Sequence, residues 1–185
     1  TVTDIDGNVY QTVQIGDQLW MAENLKVTRY RDGSSIPNVT DAAAWSNLTT
    51  GAWAHYGNDS ANEAVYGKLY NWYAAVDSRG LCPAGWHVPT DAEWTVLSDH
   101  LGGYNVAGGK MKATGTEYWT APNEGATNES GFSALPGGFR SYNGFFLRQG
   151  LYARFWSSSE GGSGFARLRY LVYSRSDLIR DDVLK

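Results

Sequence analysis

Cysteine is nearly absent: Cys82 stands alone among 185 residues. An intrachain disulfide is excluded, and a lone thiol of this kind reads as a small buried hydrophobe. Histidine is almost as scarce. His55, His87 and His100 show no paired ligand spacing and have no second cysteine to join them, so no zinc site and no other metal is expected. Long apolar runs are missing too. None approaches the roughly 20 residues that a membrane helix requires, so the chain is not expected to insert into a bilayer. No secretory leader is legible, and Thr1 is not a natural start, so the chain reads as a mature fragment. Lysine is missing from nearly all of the last quarter: residues 140–185 hold seven of the ten arginines, yet Lys185 is their only lysine. A nucleic-acid surface usually mixes the two for phosphate contact, so nucleic acid is not an expected partner. Catalytic patterns are lacking as well. There is no Ser-His-Asp order and no close carboxylate pair, and the glycines around Gly137-Gly138 are followed by neither GKS/T nor a helix. Neither an enzyme nor a cofactor is indicated.

What is abundant is aromatic and flexible: eight Trp, twelve Tyr and 22 Gly. Few long periodic runs accompany them, which predicts a loop-rich α+β fold in a single domain over residues 1–185. The net charge of −4 hides an asymmetry. Residues 1–139 carry seven Lys/Arg against fifteen Asp/Glu, whereas residues 140–185 carry eight against four. The chain thus divides into an acidic scaffold, 1–139, and a basic segment, 140–185.

The clearest local signal is Leu81-Cys82-Pro83-Ala84-Gly85-Trp86-His87-Val88-Pro89-Thr90-Asp91-Ala92-Glu93-Trp94. Thr90-x-x-Glu93 is a capping box, and Trp94, Leu97 and Leu101 fall on one helical face before Gly102-Gly103. Alternation around Gly16-Asp17 predicts a hairpin over residues 2–22. Asp4-Ile5-Asp6-Gly7-Asn8 lacks the later ligands of a calcium loop and reads as a solvated turn. Asp41 is placed to cap a short helix over 42–45, and residues 52–56 read as a strand. Tyr66, Leu69, Tyr73 and Val76 at helical spacing predict a first main helix with an aromatic core stripe. Residues 131–140 read as a short buried strand closed by the glycine pair.

Together these stretches resemble one family, the Fibrobacter succinogenes major paralogous domain, abundant in Bacteroidetes. The resemblance rests on Gly67-Lys68-Leu69-Tyr70-Asn71-Trp72-Tyr73-Ala74-Ala75, on residues 82–94, on Gly108-Gly109-Lys110-Met111-Lys112, on residues 128–138 and on Trp156-Ser157-Ser158-Ser159-Glu160. They span nearly the whole chain in order. The resemblance implies a C-type-lectin-like fold: two helices flanking small antiparallel sheets, the chain ends meeting in one sheet, and long loops presenting ligand contacts. It also implies an extracellular or cell-surface location, since members are typically exported surface or lipoprotein domains. The family pattern continues into a closing strand with Gly-Phe-Ser-Val-Arg-Cys, whose cysteine would be a partner for Cys82; the chain stops at Lys185, before that point.

In the basic segment, rings and guanidinium groups alternate among Gly and Ser. Rigid aromatics give contact area at low entropic cost, and arginine adds forked hydrogen bonds, as in an antibody combining site. The expected ligand contacts are Tyr142, Phe145, Phe146, Arg148, Tyr152, Arg154, Phe165, Arg167, Arg169, Tyr170, Tyr173, Arg175 and Asp177. Trp156, inside a family motif, reads as core. Many relatives are rich in Asn here, and the scatter of other residues, as in Asp181-Asp182-Val183-Leu184-Lys185, resembles the product of a diversity-generating retroelement. The expectation is a non-enzymatic, adhesin- or receptor-like domain whose ligand is a protein or glycan on another surface. A calcium-independent lectin is the alternative. A calcium lectin lacks its Glu-Pro-Asn and Trp-Asn-Asp type motifs, and a formylglycine-generating enzyme lacks its cysteine pair.

Overall fold

Two hairpins, not one, fold the N-terminus of the computed structural model, which describes all 185 residues. β1 (Val2–Thr3) pairs with β2 (Val9–Tyr10), and β3 (Thr12–Ile15) with β4 (Gln18–Met21) around the expected Gly16-Asp17 turn. The first hairpin exists because Asp4 is not solvated. Its buried carboxylate accepts from the amides of Asp6 and Asn8 and from the Tyr10 hydroxyl at 2.6 Å. Those donors replace water, which corrects the reading of Asp4–Asn8 as an open turn.

α1 (Ala42–Ser46) is capped by Asp41, as expected, and β5 (Trp53–Ala54) lies within the expected strand. The helix predicted over 66–76 does not form. α2 (Glu63–Tyr66) stops at Gly67, β6 (Leu69–Tyr70) pairs with β5, and α3 (Trp72–Ala75) then begins afresh. Gly67 sits at φ 65°, ψ −147°, and a Cβ there would lie 2.7 Å from the Leu25 carbonyl oxygen. Asn71 completes the break: its side-chain oxygen accepts from the amides of Ala74 and Ala52 at 3.0 Å each, capping α3 and holding the strand before it.

α4 (Asp91–His100) carries the capping box in full, with Trp94 and Leu97 buried. α5 (Tyr104–Met111) was not legible in the sequence, because Gly108-Gly109 count against a helix by about 1 kcal/mol each. Close approach reverses that argument. A Cβ on Gly108 would stand 2.2 Å from the Asp177 carbonyl oxygen, and one on Gly109 2.3 Å from that of Gly125. The strand expected over 131–140 shrinks to β7 (Phe139–Arg140), which pairs with β8 (Phe146–Leu147).

β9 (Tyr152–Gly162), β10 (Phe165–Val172) and β11 (Ile179–Leu184) form an antiparallel sheet in the order β11-β10-β9. α4 packs on one face of this sheet, and the largest core cluster lies around Trp20, Trp94, Trp119 and Phe132. Trp20 and Trp94 meet at 4.7 Å between ring centroids. A second cluster gathers Val27, Tyr30, Ile36, Trp53 and Leu81. The architecture is a mixed α/β domain of five helices and five small antiparallel sheets. The chain ends lie in different sheets, β1 with β2 and β11 with β10, and do not meet in one.

Candidate functional site: an aromatic cavity beside the last sheet

Alternation along β9, β10 and β11 sends the arginines of the basic segment to both faces of the sheet. On the face toward α4 they converge on one carboxylate, Asp91 at the helix start. Arg169 Nη1 lies 2.6 Å from Asp91 Oδ1, Arg180 Nη2 2.9 Å from Oδ2 and Arg167 Nη1 3.4 Å from Oδ2. Burial pushes the Asp91 carboxyl up, but the hydrogen bonds and charges of Arg180 and Arg169 outweigh it and hold the group below the ordinary carboxylate value. Arg169 is only 3% exposed and also bonds Thr95. Its place is between sheet and helix, and it is removed from the expected contact surface. Asp177 is removed for the same reason: it is 6% exposed and pairs with Arg175 at 2.6 Å.

The other expected contacts divide. Phe146 packs on Tyr56 and under the Arg140 guanidinium, and Tyr173 packs against the main core. Arg167 is half-buried between Asp91 and Asp182. Tyr152 and Tyr170 stack at 5.8 Å, with Arg148 over Tyr152. Open to solvent are Tyr142 (57%), Phe145 (60%) and Phe165 (43%), with Arg148 and Arg175 also exposed. Trp156, expected in the core, is half-buried, its indole N–H donating to the Tyr70 carbonyl at 2.8 Å.

A cavity of about 1040 Å³ opens beside this sheet. Tyr142, Arg154 and Phe165 of the expected set line it, together with Phe139, Trp156, Trp72, Tyr73 and Trp86. The last three lie in stretches read as scaffold and were not among the expected site residues. Trp72 is itself buried with the core, and no local pattern marks Tyr73 or Trp86. Arg154 is one of the charged side chains of the wall. Its guanidinium lies 3.5 Å from the Phe139 ring centroid and 5.6 Å from that of Tyr170, and its buried Nε has no hydrogen-bond partner.

Lys112 braces the loops behind the site. It is fully buried, and Nζ donates to the carbonyls of Glu124 (2.8 Å), Arg175 (2.9 Å) and Val172 (3.2 Å). Desolvation pushes its amine down to about 8, against the pull of Glu124 and Asp177. Cys82 is buried, as expected, with its thiol pushed up to about 12 by that burial. No three His, Cys, Asp or Glu side chains gather as a metal site, and no helix is long and apolar enough to cross a membrane.

The family model described as the Fibrobacter succinogenes major domain matches residues 13–181. The chain belongs to this family. No curated protein and no solved structure matches it. In this Fibrobacter succinogenes major domain, the stretches that carried the resemblance are structural: residues 82–94 build the capped start of α4, Gly108-Gly109 admit backbone contact, and Ser157 accepts the Trp72 indole N–H at 3.1 Å. The matched span also takes in β9 and β10, so the basic segment is part of the domain and not an appendage.

Proposed function

We propose that this domain is a non-enzymatic, surface-displayed binding module, adhesin- or receptor-like, whose ligand is met by the basic segment and the cavity beside it. The observation that carries the reading is that Tyr142 and Arg154 line one cavity together with Tyr73, Trp86 and Trp156. Ligand sites are commonly concave and aromatic, with few polar groups to orient the guest. Three exposed aromatics, Tyr142, Phe145 and Phe165, add area that the fold does not use. The architecture is taken as C-type-lectin-like, with a single small sheet and its neighbouring loops presenting the contacts. The scatter of residue types over 142–184 is taken as the trace of a retroelement, and the location as extracellular. Uniform codons across sister strains at 142–184 would remove the retroelement. The aromatic wall also favours the second reading, a calcium-independent lectin, because flat rings suit sugar faces.

The test is a glycan array and a panel of candidate surface proteins, probed with the wild-type domain and with a Tyr142→Ala, Phe145→Ala, Arg148→Ala variant. These three side chains are exposed. The expected result is a melting temperature within about 2 °C of wild type, as for most exposed substitutions, together with lost binding. Unchanged binding would take the exposed rings out of the contact surface, and a large fall in melting temperature would make them structural.

A further inference from the structure

Resting on that reading, we infer that the cavity takes an acidic saccharide, with Arg154 holding its carboxylate and the aromatic wall receiving its rings. Most other arginines of the segment already have partners. Arg140 donates to the carbonyls of Gly144, Val39 and Thr40. Arg167, Arg169 and Arg180 share Asp91, and Arg175 has Asp177. Arg148 is in water. Arg154 is half-buried, and it alone combines a buried, unbonded Nε with no carboxylate in contact. A guanidinium has five donors, and burying one without acceptors is unfavourable unless something supplies them.

The side chain is also fixed. Phe139 on one side and Tyr170 on the other hold the guanidinium between two rings, and Tyr170 is itself stacked on Tyr152. A planar, preorganised fork facing a cavity matches a carboxylate through two parallel hydrogen bonds. Most other charges on the wall are already paired: Glu93 with His87 and the capping box, Asp182 with Arg167, Lys68 with Glu63, Lys185 with Glu160, and Arg140 with main-chain carbonyls. Asp181 on the neighbouring strand attracts the Arg154 charge, but from beyond ion-pair distance.

A saccharide fits better than a peptide. A bound peptide would need free main-chain groups along β9, yet the Tyr152 carbonyl accepts from Gly138, that of Trp156 from the Trp94 indole and that of Ser157 from the Trp72 indole. What the wall offers instead is flat ring surface, at Tyr142, Tyr73 and Trp86. Its volume, about 1040 Å³, suits a ligand of a few sugar rings.

The experiment titrates the 185-residue chain with trigalacturonate, with its methyl ester (the same rings without charge) and with an octaglutamate peptide, following tryptophan fluorescence and calorimetric heat. The expected result is binding of trigalacturonate about tenfold or more tighter than of the ester. Arg154→Gln should lose that preference while binding the ester as before, and Arg154→Lys should recover it in part, a point charge replacing a fork. Arg154→Gln should also melt at or above wild type, because it removes an unpaired, partly buried charge. Equal binding of acid and ester, an Arg154→Gln variant with undiminished preference, binding of octaglutamate in place of trigalacturonate, failure to bind trigalacturonate at millimolar concentration, or an Arg154→Gln melt lower by several degrees would each overturn the inference. If the array signal of the wild type still depends on Tyr142, Phe145 and Arg148, the binding-module reading survives that failure; if no array signal exists, both fall together.

Discussion

Asp91 shows how much one side chain can organise. It opens α4, where a carboxylate is favoured by the helix dipole, and it receives three guanidinium groups from two strands. Replacing it leaves the buried Arg169 without its counter-ion, which is the expensive way to break such a pair. Asp91→Asn is expected to lower stability by about 3 kcal/mol, and with it the melting temperature by roughly 6–12 °C. Because the folded carboxyl titrates below its ordinary value, its contribution is present above the unfolded value of about 3.9 and is lost as pH falls through the folded one. The difference between wild type and variant should therefore be constant from pH 7 to about pH 5 and shrink below about pH 4, as denaturant titrations at each pH would show. A constant difference down to pH 3 would mean that charge is not what Asp91 supplies. The residue scale was also the scale at which sequence reasoning over-reached: Arg169 and Asp177 carry the same letters as a contact residue, and only strand register, for the first, and the fold of the β10–β11 connection, for the second, turn them inward.

At the scale of elements, α5 sets two known effects against each other. Replacing Gly108 by alanine should help the helix by about 1 kcal/mol through propensity alone. The new Cβ would, however, meet the Asp177 carbonyl oxygen at 2.2 Å, a contact no flexible side chain can relieve. Overpacking of this kind costs about 1–3 kcal/mol and the obstacle here is backbone, so the net expectation for Gly108→Ala is a loss of about 2 kcal/mol, read from a urea midpoint. A raised midpoint would show that α5 does not approach the 177 backbone. The same competition explains which elements were legible. The capping box of Thr90 and Glu93 and the Asp41 cap are local chemistry, and both helices begin where predicted. α5 and the break at Gly67 depend on partners distant in sequence, Asp177, Gly125 and Leu25, which no local pattern reveals. The ring of Tyr73 was read as part of a continuous helical stripe for the same reason, and so was missed as part of the cavity wall.

For the whole molecule, the question is whether the acidic body and the basic segment act as one unit. The main cluster draws Trp20 and Trp94 from the body and Leu171 and Leu178 from the segment, while Trp53 belongs to the second cluster. Tryptophan fluorescence and far-ultraviolet circular dichroism are therefore expected to report one thermal transition with coincident midpoints. Two separated midpoints would make the Val27–Leu81 cluster an independent unit. Lys112 ties the two parts from within, its ammonium drawing the carbonyls of Glu124, Val172 and Arg175 around a single positive point. Many loop surfaces rely on a captured metal to keep such carbonyls together, and fall apart when a chelator strips it. Here the gathering charge is covalently part of the chain, so the loops that frame Tyr173 and Arg175 keep their shape whatever the ionic supply outside.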